Sequence, residues 1–264
     1  MKPSNLKFFY IHVGKCAGSS LFEYLSAGFS ERGMRLIIQH KKRFDLSQND
    51  ELNRYLVVVR NPIERYVSAF NHSKNLVDFD ISNIKNPDEL NINNCLAPFH
   101  IKNKIKNKGI VFSNEYDDLI NYFKNANDLA ESLSTKKTER RLKAIKLFNH
   151  PHEHIFKGIG WYLHNGDFVK KNHSKIIFAG RLEYIKHDME SFLANNNLGF
   201  IFEECQLKKY RVNSKDYSKF LSKKALENII SWYYKTDFKS IKTLCEYDLI
   251  PESYYSECFE YRVN

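Results

Sequence analysis

The 264-residue sequence contains no C-x-x-C pair, no internal repeat, no low-complexity linker and no long apolar run. Each absence removes a class of protein. The five cysteines, Cys16, Cys95, Cys205, Cys245 and Cys258, are odd in number and far apart, which argues against a disulfide framework and for a reducing compartment, so a cytoplasmic location is expected. Met1 to Leu6 lead straight into a strand-like stretch, so neither a targeting peptide nor a membrane anchor is expected, while contact with a membrane surface stays open. No linker divides the chain, and residues 1–264 are expected to form one domain with a variable helical or loop excursion at about 75–155. His150, His152 and His154 alternate near Pro151, but no acidic or cysteine ligands cluster with them, and no metal is expected.

Hydrophobic residues make up 42% of the chain and aromatic residues 14%, enough to build a packed core and to exclude wholesale disorder. Lys and Arg exceed Asp and Glu by 10, which favours a polyanionic partner without saying which. The basic residues are interspersed with acids and no RNA-binding aromatic motif stands out, so nucleic acid is not the expected partner.

The richest stretch is Lys7 to Leu21. Lys7 to Val13 is aromatic and β-branched, as a buried strand is, and it stops at Gly14. Gly14, Lys15, Cys16, Ala17, Gly18, Ser19 and Ser20 then read as an anion-holding turn. The two glycines permit unusual dihedrals and close approach, Lys15 adds charge and the serines add hydroxyls. A helix follows to about Ser30, with Leu21, Phe22 and Leu25 on its apolar side and its positive N-terminus aimed at the turn. Ser20 and Glu23 have the spacing of a capping box. The G-x-x-x-x-G-K-S/T spacing of a Walker A loop is absent.

Met34–Ile38 reads as a second strand that delivers His40, and the all-apolar Leu56–Val59 as a central parallel strand that delivers Arg60. Asn61, Pro62 and Glu64 then signal a helix running to about Lys74, with Ile63, Val67 and Phe70 on one face and Ser68 on the polar side. Further helices are expected at about Tyr116–Leu133 with a break near Asn125, Thr138–Phe148, Ile155–Leu163, Glu183–Asn196, Ser222–Tyr234 and Thr236–Tyr247, and a fourth strand at Lys175–Ala179. Ligands of open α/β sheets bind at the carboxyl ends of the strands, where Lys15, His40 and Arg60 converge. No Asp ends the hydrophobic strand to hold Mg²⁺, so a metal-free donor with two phosphate groups suits these residues better than Mg-ATP.

Gly14-Lys15-Cys16-Ala17-Gly18-Ser19-Ser20-Leu21 resembles the 5′-phosphosulfate loop of the carbohydrate sulfotransferases, Golgi-type and bacterial, that use 3′-phosphoadenosine 5′-phosphosulfate (PAPS). Arg60 to Phe70 is similar to their R-x-P-x-x-R-x-x-S-x-F motif for the 3′-phosphate, and Phe178 to Glu183 with Asp188 resembles a later strand and helix. Gly14 departs from the family's usual proline.

The resemblance implies a three-layer α/β, P-loop-like fold with a central parallel sheet, PAPS as co-substrate without a metal, and a hydroxyl acceptor on a polysaccharide or glycolipid. It assigns the leaving group to Lys15, the 5′-phosphate to the loop, the 3′-phosphate to Arg60 and Ser68, and the base to His40, with Arg211, and with it Asn213 and Ser214, near the nucleotide. His12 and His72 are weaker bases, Arg65 reads as a structural or rim charge on the helix surface, and Arg181 and Glu183 as braces of the site or as ordinary salt bridges. A P-loop kinase-like phosphotransferase and a non-catalytic binder of acidic glycan or nucleic acid are the alternatives.

Overall fold

The computed structural model describes residues 6–39, 43–47, 50–82, 102, 104–151, 154–196 and 217–261. Four strands, β1 (Lys7–Ile11), β2 (Leu36–Gln39), β3 (Asn53–Val59) and β4 (Ile176–Arg181), form a sheet in the order β2-β1-β3-β4, parallel at every pairing. The fold is α/β, a central parallel sheet flanked by helices, as expected. Leu56, Val57, Val58 and Val59 are all buried, because a central strand of such a sheet is covered on both faces and has no polar side to present.

The helix α1 (Gly18–Ser30) follows β1 and buries Leu21, Leu25 and Phe29, a four-residue spacing that keeps one stripe on the sheet; the Phe29 ring meets Phe8 of β1 edge-on, centroids 5.0 Å apart. Each such side chain contributes about 1.5–3 kcal/mol on burial. Gly33, at φ 66°, lets the chain leave α1 and enter β2. The helix α2 (Pro62–Asp78) follows β3; Asn61 Oδ1 accepts the Ile63 N–H at 2.9 Å and Pro62 opens the helix, as the sequence signals. It runs four residues beyond the expected end.

The chain resolves into two compact units. The first, Met1–Arg65, Lys157–Lys209 and Trp232–Tyr261, holds the whole sheet. The second comprises Tyr66–Phe156, Tyr210–Ser231 and Arg262–Asn264. In the second, the helices Asn114–Tyr122 and Ala126–Ser132 are separated where the break was expected, since Asn125 caps the latter by accepting the Asp128 N–H at 2.9 Å. Tyr66 stacks on Phe148 at 5.4 Å and donates its hydroxyl to the Ala126 carbonyl at 2.7 Å. His150 lies against the Tyr116 ring and faces Glu115, and His154 lies beside His72, so these histidines point to different partners. His152 lies outside the described residues. Among the described residues no helix is long and apolar enough to cross a membrane.

Two helical expectations change. The helix at Ile155–Leu163 contracts to Ile159–Tyr162. The closing pair is joined by an i→i+5 turn over Tyr234–Phe238, so the last long helix begins at Lys239 rather than Thr236. A further short helix, Glu252–Glu257, was not legible in the sequence.

Candidate active site

The sheet fixes the site by fixing where its strands stop. Ile11 pairs with Gln39 and Val57, so β1 and β2 end level while β3 runs two residues further to Val59, and the loops that carry Lys15 and Arg60 leave the sheet at one edge. His40 itself lies outside the described residues, as do Arg211, Asn213 and Ser214.

The turn after β1 differs from the sequence expectation in which residues bend it. Neither Gly14 nor Gly18 has positive φ; the left-handed residues are Lys15 (φ 69°) and Ala17 (φ 54°). Each costs about 1–2 kcal/mol because its Cβ crowds the next carbonyl. Left-handed residues in such a turn aim successive backbone N–H groups into a concavity that suits an anion. Gly18 is needed for space instead: a Cβ there would overlap the buried His12 ring at Cδ2 and Nε2. His12 thereby acts as the floor of the loop.

Ala17 is the N-cap of α1 and makes no side-chain cap, so the Ser20–Glu23 capping box does not form: the helix has already begun at Gly18 and Ser20 lies within it. The Leu21 N–H makes a helical bond, 3.1 Å to Ala17 O, whereas the N–H groups of Gly18, Ser19 and Ser20 fall in the first turn, where a helix supplies no acceptor. The Cys16 N–H instead donates back to Val13 O at 3.3 Å, and its buried thiol, pushed up to about 12 by burial, stays protonated.

Lys15 is half-buried, and its pKa falls to about 8, first through burial and then through the positive charge of Arg60. Two cations that oppose each other in this way fit a multiply charged anion, which the concavity beside Lys15 also suits. Arg60 directs its guanidinium to Glu64 (Nε 3.3 Å, Nη2 3.0 Å) and sits 4.0 Å from Glu183 Oε1. Glu183 braces this corner: its carboxylate accepts the Asn61 N–H at 2.9 Å and the Tyr254 hydroxyl at 2.7 Å, and burial raises its pKa. Arg181, at the end of β4, is held bidentate by Asp188 (3.0 and 2.6 Å). Arg181 thus forms an ordinary ion pair with Asp188, whereas Glu183 lies beside Arg60.

Arg65, expected on the surface of its helix, is instead fully buried. It donates to Asp237 at 3.0 Å and lies over the Tyr233 ring at 5.4 Å; burial opposes its charge, but Asp237 and Tyr233 outweigh that and keep its pKa high. Asp237 also accepts the Gly160 N–H at 2.9 Å. Sequence reasoning missed Asp237 and Tyr254. A hint existed for Asp237: it is an acid next to Phe238 at the start of the apolar stripe Phe238, Ile241, Leu244, where an acid must find a buried cation or hydrogen bonds. Ser68 is half-buried on α2 and belongs to the second unit, whereas Arg60 belongs to the first.

Gly18→Ala is expected to destabilise the protein by about 1–3 kcal/mol through the clash with His12. His12→Ala added to it should recover part of that loss, because it removes the ring the new Cβ meets. Thermal melting of the two variants checks this.

The turn with left-handed Lys15 and Ala17 and the helix N-terminus at Gly18 stand at the carboxyl end of β1, where open parallel α/β sheets bind their ligands. The chain matches the model of the Sulfotransferase family over residues 1–240, and it belongs to that family. No curated protein and no solved structure is matched by the chain. Sulfuryl transfer is the family's chemistry, PAPS its general donor, and a hydroxyl-bearing acceptor is what the family implies.

Proposed function

We propose that the chain moves a sulfuryl group from PAPS to a hydroxyl of a carbohydrate or glycolipid, in the cytoplasm and without a metal, as one sulfotransferase domain whose residues at about 75–155 select the acceptor. The observation that carries this reading is the β1–α1 turn, where left-handed Lys15 and Ala17 lead into the helix N-terminus at Gly18, with Arg60 at the end of the neighbouring strand as a second cation. When bound, PAPS supplies the activated sulfuryl group on its 5′-phosphate.

The N–H groups of Gly18, Ser19 and Ser20 would hold the 5′-phosphate within the turn shaped by Gly14, Cys16 and Ala17. Lys15 would neutralise the charge that grows on the bridging oxygen as its O–S bond breaks. Arg60, steadied by Glu64 and Glu183, would take the 3′-phosphate, and the resemblance adds the Ser68 hydroxyl and, near the nucleotide, Arg211. The new O–S bond forms to the acceptor oxygen, whose proton passes to a base. His40 is our candidate for that base, on the resemblance and on its position after β2.

The test is release of PAP from PAPS in the presence of acidic polysaccharides, glycolipids and tyrosine peptides in turn, with the sulfate ester located by mass spectrometry. Sulfation of a sugar hydroxyl is the expected result; PAP release with no acceptor modified, or with the peptide alone, overturns the acceptor reading.

The Lys15 pKa sets a pH signature. An anion stabilises charged Lys15, so its pKa in the complex lies above the free value of about 8. PAP affinity should therefore be flat below about pH 8 and fall above it, by at most about tenfold per pH unit, until the pKa of the complex is reached. Titrations from about pH 7 to about 9.5 check this step, which Lys15→Met should abolish.

A further inference from the structure

The short helix Glu252–Glu257 is clasped to the segment that leaves β4 by two hydroxyl–carboxylate bonds running in opposite directions. Tyr254 donates to Glu183 Oε2 at 2.7 Å, and Tyr184 donates to Glu257 Oε2 at 2.7 Å. The two tyrosine rings meet edge-on, centroids 6.3 Å apart, and the Arg181 guanidinium lies over both, 4.4 Å from Tyr184 and 5.7 Å from Tyr254. Just before the helix, the Cys245 thiol donates to the Pro251 carbonyl at 3.4 Å.

The two bonds differ in what lies behind them. The Tyr184–Glu257 bond is exposed, whereas Tyr254 is only 2% exposed. The other oxygen of its acceptor, Glu183 Oε1, accepts the Asn61 N–H at 2.9 Å and lies 4.0 Å from Arg60 Nε. One carboxylate therefore connects the helix Glu252–Glu257 to two consecutive residues of the turn after β3. A carboxylate is planar and accepts at both oxygens, so a donor fixed at Oε2 sets the direction in which Oε1 points. Burial raises the Glu183 pKa, and the bonds from Tyr254 and Asn61, with the charge of Arg60, oppose that rise.

Packing alone does not require the hydroxyl. A phenylalanine would fill the same space and would leave Glu183 Oε2 without its donor. Tyr254 also lies outside residues 1–240, the stretch that matches the family model, so its part in the site belongs to this chain's own closing segment.

We propose that Tyr254 is a positioning residue of the donor site: through Glu183 it holds the Arg60 guanidinium and the Asn61 backbone in the arrangement that grips the 3′-phosphate. This role rests on the donor reading above.

The experiment is calorimetric titration of the full chain with PAP and with adenosine 5′-monophosphate, which lacks the 3′-phosphate. The ratio of the two affinities isolates the group assigned to Arg60. The unaltered chain is expected to bind PAP about tenfold or more tightly than the monophosphate. Tyr254→Phe should cost about three- to tenfold in PAP affinity and leave the monophosphate unchanged. Glu183→Asp keeps the charge but is one methylene too short to reach both Tyr254 and Asn61. It should lower the ratio by a similar factor, and it carries the test where Tyr254→Phe does not fold. Combining the two should lower the ratio little further, because both act through one carboxylate. In turnover, Tyr254→Phe should raise the KM for PAPS and leave kcat nearly unchanged, since the 3′-phosphate is held alike before and during transfer. A PAP preference that survives Tyr254→Phe or Glu183→Asp, whatever the melting temperature does, overturns the positioning role and leaves the donor reading standing. An unaltered chain that binds PAP no better than the monophosphate overturns the donor reading, and the role of Tyr254 with it.

Discussion

Lys15→Met is expected to lower turnover of PAPS by about 10²–10³-fold while changing the KM for PAPS far less. Charge on the bridging oxygen appears only as the O–S bond breaks, so the interaction lost belongs to the transition state and shows in kcat. Methionine keeps the length of the stem and cannot carry the charge. With its pKa near 8, Lys15 is mostly protonated at neutral pH and still within reach of solution proton exchange. Initial rates of PAP release over a range of PAPS concentrations separate the two parameters. A rise in KM with kcat intact would mean that Lys15 only binds the donor. Lys15→Arg should not restore the rate, because the planar fork of a guanidinium does not replace a compact ammonium in a turn where residue 15 is left-handed.

The second large effect concerns stability. Asp237→Ala should destabilise the sheet unit by about 3–5 kcal/mol, since it leaves Arg65 charged, fully buried and without its carboxylate. For a chain of this size that lowers the melting temperature by about 6–20 °C. Two further losses enter the same number, the Gly160 N–H bond and the packing around the i→i+5 turn that turns Asp237 inward. Replacing both partners with apolar groups, Arg65→Met with Asp237→Leu, should recover much of the loss, because an ion pair inside a protein pays for its own desolvation. Chemical and thermal denaturation of the two variants measures this. Full recovery in the double variant with catalysis intact would identify the pair as purely structural. A stable Asp237→Ala protein would contradict the buried geometry.

The parts of the fold set by local pattern were legible before any coordinates. β3 shows itself as an unbroken apolar run, and the start of α2 shows itself through Asn61, Pro62 and Glu64, where capping and backbone chemistry are contained within four residues. The break before Ala126 is of the same kind, since Asn125 is its own capping signal. What escaped was non-local. The left-handed conformation fell on Lys15 and Ala17 although glycines stood on either side, because Gly18 was required for its missing side chain above His12 rather than for its dihedrals.

The same holds for the charges. The helix position of Arg65 suggests a structural or rim charge at the surface, whereas it is buried against a partner 172 residues away that no spacing rule connects to it. Glu183 stands in a segment the sequence singles out, but Tyr254, which donates to it across 71 residues, carries no signal of that contact. Arg43 reaches the Trp161 ring only through the fold.

The most direct test of the central claim is calorimetric titration of the purified protein with PAP in EDTA, set beside ATP with Mg²⁺ and repeated with Arg60→Ala. The account predicts metal-free PAP binding that Arg60→Ala weakens by about tenfold or more, the scale of a lost charge-assisted phosphate contact, and much poorer binding of ATP. ATP binding that requires Mg²⁺, together with failure of PAP to bind, would contradict it and assign the Lys15–Arg60 site to phosphoryl transfer instead.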